Sequence, residues 1–318
     1  PQYPSSSSCS LAGLSIGLTE NCTMGMNRKH GPKDCSHVTW SGLGAVLLEE
    51  KASRWINPKL LRGRPVDRIT FVTILGIDIG GTGVKGGIVE FPAGTLQGDP
   101  SHIPTPHPAS PTALSRAVKK LVDQLQWKGP IGAGFPGPIR DGIVETAVNL
   151  SPQWVGKNPA LVFQKATRQK FVVINDADAA GLAEVHHGAG KKEKGVVVMI
   201  TLGTGIGSAL FYRSELIPNT ELGHLTLRGK DAEKSASAKA REDHGWSWKK
   251  WSRRVREYLQ QVDRLINPDL IIVGGGVSKR AEKWLPRASQ GLRAKVVAAK
   301  LHNEAGIVGA AMAVRKSR

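Results

Sequence analysis

The sequence has few cysteines and no long apolar segment. Its three cysteines, Cys9, Cys22 and Cys35, all lie among the first 35 of 318 residues, so the chain from residue 71 onward has none. This absence excludes cysteine catalysis there, and neither the odd count nor the spacing fits a disulfide framework or a zinc site. No apolar run approaches the roughly 20 residues that a membrane span requires. We therefore expect a protein of the reducing cytoplasm that does not span a membrane.

Acidic residues are also scarce relative to basic ones. The chain has 26 Asp and Glu against 44 Lys and Arg, which gives a formal net charge of +18. Such a surplus favours a polyanionic partner, which is a nucleic acid, an anionic membrane surface or a phosphate-rich small molecule. A solvated basic surface that aids solubility explains the charge by itself equally well.

Residues 1–70 lack the regular pattern of the rest of the chain. They contain the low-complexity stretch PSSSSCS and show no sustained helix or strand period, so we expect a leader or poorly ordered extension. A folded helix-turn-helix module is the alternative, although no pair of amphipathic helices is visible. The apolar stretch Leu11–Leu18 is short and follows no basic residue, which argues against a secretory signal.

From residue 71 onward strands and helices alternate, which is typical of the α/β class. Apolar runs predict strands, and apolar positions spaced by three or four residues predict helices. We expect strands at 70–79, 86–91, 131–139, 170–175, 195–212 (as a hairpin) and 270–278, helices at 112–127, 176–188, 246–266 and 303–314, and a proline-rich loop at 102–111.

Glycine-rich turns follow three of the predicted strands, in ILGIDIGGTGVKGGIVE (74–90), ITLGTGIGSALF (200–211) and LIIVGGGVSK (270–279). Glycines after a strand let backbone N–H groups approach an anion such as phosphate closely. For any single turn, a tight hairpin that needs positive φ is the plainer explanation. The chain lacks both GxxxxGK[ST] and GxGxxG at the start of a βαβ unit, which excludes a P-loop enzyme and a Rossmann dehydrogenase.

Polar residues near these turns suggest two kinds of ligand. Asp78, at a strand end, could hold Mg²⁺ through water, and Lys85 could neutralise phosphate charge. Sugar hydroxyls require hydrogen bonds from Asp, Asn, Glu and His. Residues of these types occur at Asn149, Asn175, Asp176, Glu221, His224 and Glu233. Plainer alternatives stay open, such as a helix N-cap for Asn175 and a core histidine for His224.

Six motifs occur here in the order seen in ROK-family sugar kinases, and the sequence resembles that family over roughly residues 73–315. They are LGIDIGGTGVKGGIVE, GFPGPI, NDADAAGLAE, TLGTGIGSAL, ELGH and LIIVGGGVS. The resemblance implies the actin/hexokinase-like (ribonuclease H-like) fold, in which two α/β domains surround a central cleft. We expect the smaller domain at 71–176 plus 303–318, with the first phosphate loop. The larger domain is expected at 177–302, with the second phosphate loop and sugar-binding residues.

The sequence departs from the family pattern after ELGH. Typical members continue with a cysteine-rich zinc cluster, whereas this chain has no cysteine there, so structural zinc is not expected. The stretch LTLRGKDAEKSASAKAREDHGWSWKKW instead resembles the polyphosphate glucokinases and glucomannokinases of the family. These phosphorylate the 6-hydroxyl of glucose with inorganic polyphosphate and often also with ATP. An ATP-only glucokinase, a sugar-responsive transcription repressor and a non-catalytic sugar-binding protein are the alternatives.

The resemblance also implies a function for each matched position. Asp176 matches the catalytic base, and Asp78 would hold Mg²⁺ through water. The positions matched to sugar binding are Asn175, Asp176, Glu221, His224, Glu233, Asn149, Gly134, Phe135 and Pro136. Those matched to the phosphate donor are Asp78, Gly80, Gly81, Thr82, Lys85, Thr201, Gly203, Thr204, Gly205, Gly274, Gly275 and Gly276.

The implied partners are glucose, with mannose as a second sugar to consider, and inorganic polyphosphate, ATP or both. A homodimer is expected by resemblance, and neither nucleic acid nor membrane is expected as a partner.

A polyphosphate chain would need an open groove lined with cations, as nucleic acids do. Residues 228–264 contain eleven basic and six acidic side chains, and we expect the groove there. A solvated helix face is the alternative. Asp176 is expected to have an ordinary pKa of ~3.9.

Overall fold

A computed structural model describes residues 71–147 and 150–316. The predicted N-terminal leader, the alternative helix-turn-helix module and Asn149 lie outside the described residues. Both main sheets lie within one compact unit, Asp67–Arg318. The division into two domains at the boundaries given above stays a prediction.

The first sheet has six strands, in the order β3-β2-β1-β5-β8 with β4 beside β2. Strands β1, β5 and β8 run parallel, whereas β2 returns antiparallel to β1 with Lys85 opposite Asp78. The carboxyl ends of β1, β5 and β8 therefore meet at one edge of the sheet, where α/β proteins bind ligands. The strands are β1 (Val72–Ile79), β2 (Gly83–Phe91), β3 (Thr95–Leu96), β4 (Ser101–Pro104), β5 (Ile131–Phe135) and β8 (Phe171–Asn175), with a small hairpin of β6 (Ile139–Arg140) and β7 (Ile143–Val144) after β5.

The second sheet has five strands, in the order β11-β10-β9-β14-β15. Strands β9, β14 and β15 are parallel, and β10 forms the predicted hairpin with β9. The second and third glycine turns follow β9 and β14 and therefore share one edge. The strands are β9 (Val196–Leu202), β10 (Ile206–Tyr212), β11 (Glu215–Ile217), β14 (Leu270–Gly274) and β15 (Lys295–Ala298), with a separate pair of β12 (Thr226–Leu227) and β13 (Lys230–Asp231).

Helices complete a layered arrangement around three apolar clusters. Helices α1 and α2 pack on the outer face of the first sheet, and α6 packs on the outer face of the second. Helices α3 and α8 lie between the sheets. They approach each other so closely that a Cβ on Gly309 would overlap the carbonyl of Ala179. The helices are α1 (Pro111–Gln124), α2 (Pro159–Thr167), α3 (Asp176–His187), α4 (Glu233–Ala236), α5 (Ala238–Asp243), α6 (Trp248–Ile266), α7 (Leu285–Ala288) and α8 (Ala305–Lys316).

Where the sequence-based boundaries differ from the structure, local caps explain the difference. Helix α6 begins at Trp248 rather than 246 because the Ser247 hydroxyl accepts the N–H of Lys250 and so caps it. Helix α1 ends before the predicted 127, since Gln126 has left-handed backbone geometry with φ of 48°. The prediction missed α2 altogether. No helix within 71–147 and 150–316 is long and apolar enough to cross a membrane.

Candidate active site

A cavity of about 290 Å³ lies where the strand ends of the two sheets face each other. Its lining combines the first two glycine turns of the predicted donor site, and Gly275 of the third, with the acids and the histidine of the predicted sugar site. The predicted residues that line it are Gly80, Gly81, Thr82, Pro136, Asn175, Asp176, Thr201, Gly203, Thr204, Gly205, Glu221, His224, Glu233 and Gly275. These residues therefore share one cavity, and their assignment to sugar or donor binding stays a prediction.

The glycines of the first two turns leave space at the cavity wall. None of Gly80, Gly81, Gly203 and Gly205 has positive φ, so a strained hairpin does not explain them. A Cβ added at Gly81 or Gly203 would meet nothing within 4 Å of it, and both positions line the cavity. Side chains there would therefore fill the space that the turns keep open for a ligand. Gly275 differs, because its φ of 84° does require glycine.

The first glycine turn is fixed from outside by Thr105. Within the turn, Gly80 N–H donates to the Gly83 carbonyl at 2.9 Å. The buried Thr105 hydroxyl donates to the Gly80 carbonyl at 2.6 Å, and Thr105 N–H donates to the Thr82 carbonyl at 3.3 Å. This contact had no signal in the sequence, since Thr105 lies in the segment predicted only as a proline-rich loop.

Asp176 is the first residue of α3 and lies partly exposed in the cavity. One carboxylate oxygen accepts the N–H of Ala177 at 2.8 Å. Removal from bulk water raises the pKa of Asp176 to about 7, and the nearby charge of Asp78 adds to the rise. Asp176 is therefore not the weak base of ordinary pKa that the sequence suggested, because burial and a neighbouring acid favour its neutral form.

Asn175 holds the start of the same helix. Its side-chain oxygen accepts the N–H groups of Ala177 at 2.8 Å and Asp178 at 3.1 Å, which is a helix N-cap. The plainer explanation of Asn175 is thus confirmed, and the residue also lines the cavity. Its cap fixes the direction in which Asp176 projects from the end of β8.

Glu221, His224 and Glu233 form an acidic part of the cavity wall, and Asp231 lies beside His224. His224 Nδ1 lies 3.0 Å from Asp231 Oδ2, and its Nε2 lies 3.8 Å from Glu221 Oε2. The contact with Asp231 raises the pKa of His224, whereas partial burial raises the pKa of Glu221. Glu233 reaches the second glycine turn, since a Cβ on Gly205 would lie only 2.6 Å from its carboxylate. The sequence prediction did not include Asp231, which orients the imidazole.

Two further polar residues fix the segment that carries Glu221. The Ser208 hydroxyl donates to the Thr220 carbonyl at 2.7 Å and accepts the N–H of Leu222 at 3.0 Å. Asn219 bonds both backbone groups of Ile139, donating to its carbonyl at 2.8 Å and accepting its N–H at 3.0 Å. This pair joins the Glu221 segment to the Gly-Pro turn at 136–138.

The buried side chain of Asp178 holds the backbone of Asn219 in place. Its Oδ2 accepts the N–H of Asn219 at 2.9 Å, and the carboxyl group is almost fully buried. Burial raises the pKa of Asp178 to about 7, although the N–H of Asn219 opposes the rise. Hydrogen bonds through Asn219 thus connect α3 to the hairpin after β5.

The structure places six predicted site residues around the cavity without making them part of its lining. Asp78 lies against α8, where Gly306 leaves room for its carboxylate, and Lys85 faces it on β2. Phe135 packs edge-on against Trp154 in the core. The set is Asp78, Lys85, Gly134, Phe135, Gly274 and Gly276. The cavity in turn includes Gly137 of the predicted Gly134–Gly137 turn, and also Pro138, Thr146, Ile206, Gly207 and Ser208, which the prediction left out.

Many cations of the basic stretch 228–264 are already engaged within the protein. Arg228 and Arg254 contact Glu257 at 2.8 and 3.8 Å. Lys239 pairs with Asp243 at 2.8 Å, and the Arg241 guanidinium stacks 4.0 Å from the centre of the Trp248 ring. The ion pairs offset part of the positive charge that the stretch offers to a ligand, whereas the stacked Arg241 keeps its charge.

Two layered sheets whose strand ends share a cavity, with glycine turns beside a partly exposed carboxylate, form the arrangement of sugar kinases of the actin/hexokinase-like fold. The chain belongs to the ROK family, whose sequence profile matches residues 74–239. It is 46% identical over 239 residues to a polyphosphate glucokinase of Mycobacterium tuberculosis, with 75% of this chain and 89% of that one covered.

Solved structures agree with this assignment. An inorganic polyphosphate/ATP-glucomannokinase from Arthrobacter sp. strain KM superposes with a TM-score of 0.75 at 46% identity, covering 78% of this chain and all of that one. A ROK family glucokinase from Streptomyces griseus, solved with glucose and AMPPNP, has a TM-score of 0.68 at 24% identity over 77% of this chain and all of that one. The expected fold is thereby confirmed.

Proposed function

We propose that this protein transfers the terminal phosphoryl group of inorganic polyphosphate, and of ATP, to the 6-hydroxyl of glucose. The observation that carries the proposal is the position of Asp176, whose carboxylate shares one cavity with both glycine turns and the Glu221–His224 wall. A hydroxyl at Asp176 can therefore face a phosphate held by the turns. The 46% identity to a polyphosphate glucokinase supports the choice of donor and acceptor.

Asp176 acts as the base in this reaction. The sugar oxygen forms its bond to the terminal phosphorus while the bond from that phosphorus to the bridging oxygen of the donor breaks. The hydroxyl proton passes to the Asp176 carboxylate, and the donor leaves shortened by one phosphate. A pKa of about 7 suits a base that works near neutral pH. Positioning by the two walls and backbone N–H groups near the phosphate supply most of the remaining acceleration.

The acids near Asp176 fit Mg²⁺ held partly by water. Within the described residues no group of three or more His, Cys, Asp or Glu could hold a metal alone. Asp78, however, is a hard oxygen donor close enough to raise the pKa of Asp176. One carboxylate with waters and donor phosphates is the coordination that Mg²⁺ prefers in kinases. Bound there, Mg²⁺ would neutralise charge on the donor phosphates.

The rate should rise with pH through neutrality. Only the deprotonated form of Asp176 accepts the proton, and that form predominates above its pKa of about 7. We expect kcat/KM for glucose to be about tenfold lower at pH 6 than on a plateau above about pH 8. Initial rates at saturating donor would measure this profile, with unfolding curves at each pH as the control. A flat profile over that range would contradict the assignment of Asp176.

A coupled glucose 6-phosphate assay with each donor separately tests the proposed function. We expect turnover with polyphosphate freed of nucleotide and also with ATP. Turnover with ATP but none with polyphosphate would show that the protein is an ATP-only glucokinase. The same assay with mannose, and with a chain lacking residues 1–70, tests the second acceptor and any contribution of that segment. Assembly as a homodimer and a cytoplasmic location stay predictions.

A further inference from the structure

A row of exposed cations follows the third glycine turn. The 3₁₀ helix Gly276–Lys283 and α7 after it carry Lys279, Arg280, Lys283 and Arg287 on the surface. Within the described residues none of these four makes an ion pair, in contrast to the engaged cations of 228–264. We call these four residues the cationic row.

The cationic row begins at the cavity. Gly275 lines the cavity and immediately precedes the 3₁₀ helix, and the Ser278 hydroxyl donates to the Gly275 carbonyl at 2.8 Å. A Cβ on Gly276 would meet nothing within 4 Å, so there is open space beside this residue, directly after the cavity edge. The backbone of Arg280 is not helical, with φ of −123°, so the segment bends there, and Lys283 and Arg287 follow this bend along the chain.

The far end of the cationic row forms a shallow groove. Lys283 and Arg287 line it together with Glu282, Pro286 and Gln290. The Arg256 guanidinium donates to the Gln290 side chain at 3.3 Å, which joins α6 to the groove. A single acid, Glu282, accompanies the cations there, so the groove keeps a positive charge.

We propose that the cationic row binds the part of a polyphosphate chain that extends out of the cavity. The inference rests on the proposed function and places the extended donor on the row rather than on the predicted stretch 228–264. Polyphosphate is flexible, evenly charged and has no bases to recognise, so unpaired cations along a path from the cavity match its chemistry. A short donor such as ATP gains little from the far end of the row.

The test removes two charges at the far end, in the double variant Lys283→Gln with Arg287→Gln. We expect the KM for long-chain polyphosphate to rise about fivefold and the slope of log KM against log salt to fall by about one per lost cation. The KM for ATP should change much less. Both residues are exposed, so unfolding curves of the variant should match the original protein.

A matched control comes from the surface groove on α1. It contains Arg116, Lys119 and Lys120 with one acid, Asp123, and one glutamine, and it lines no part of the cavity. The double variant Arg116→Gln with Lys120→Gln removes the same charge, and we expect it to leave the KM for polyphosphate unchanged.

Two outcomes would overturn the proposal, and they can be told apart. If the original protein uses polyphosphate but the Lys283 and Arg287 variant behaves like the α1 control, or affects ATP equally, the cationic row is not the binding surface. If the original protein uses ATP only, the proposed use of polyphosphate as donor is refuted. The proposal that the cationic row binds polyphosphate is then refuted as well.

Discussion

Replacing Asp176 by asparagine lowers kcat for glucose phosphorylation by about 10²–10⁴-fold, the range expected for loss of a general base. Asparagine keeps the shape of the side chain, and its carbonyl oxygen can still accept the N–H of Ala177, which bonds Asp176 at 2.8 Å. The helix start and the cavity should therefore persist. Because the Glu221–His224 wall is untouched, glucose should still bind, as calorimetry or fluorescence titration would show.

The control for this prediction is Asp123→Asn, which changes an exposed aspartate on α1 paired with Lys119 at 2.7 Å. We expect no change of kcat in that variant, since surface substitutions away from special features have small effects. Near-normal turnover of Asp176→Asn, with both donors, would refute its assignment as the base. Loss of glucose binding in the same variant would show instead that Asp176 acts chiefly in holding the sugar.

The second large effect is expected at Asn219, where glycine should raise the KM for glucose by up to about 30-fold. The change removes two hydrogen bonds to Ile139, each contributing about 1 kcal/mol. The Gly-Pro turn at 136–138 then loses its fixed position against the Glu221 wall. Glycine adopts the φ of 59° at this position without strain, so the variant isolates the side chain. We expect kcat to fall much less than KM rises.

Asn267→Gly is the matched control for Asn219→Gly. Asn267 has the same left-handed geometry, with φ of 54°, but it ends α6 and lines no part of the cavity. Glycine is favoured after a helix, so both stability and KM should be retained. Equal losses in kcat and stability for Asn219→Gly, with KM unchanged, would show a general structural contribution and no positioning of the sugar wall.

Much of the fold could be predicted from the sequence because its signals are local. The apolar run before Asp78 and the return strand with Lys85 gave the β1–β2 hairpin. The strand that ends at Asn175 and the helix that starts at Asp176 were also predicted, because a cap and an apolar period lie within a few residues of each other. The short α2 was missed.

The site was predictable as a set of residue types but not as a geometry. Glycine turns and acids mark a ligand site by composition, and the cavity includes most of them. Phe135 stood in the same motif as Pro136, yet its ring lies in the core. A motif fixes which residues are near in sequence, whereas the direction of each side chain depends on what packs against it.

The sequence by itself determined the alternation of strands and helices, the glycine turns and the presence of a carboxylate at the start of α3. Only the tertiary structure decided that Asn219 pairs with Ile139 across 80 residues, that Thr105 holds the first turn, and that the pKa of Asp176 lies at about 7. It also decided which cations stay unpaired. These properties depend on burial and on contacts between distant segments, which short-range periodicity and capping do not encode.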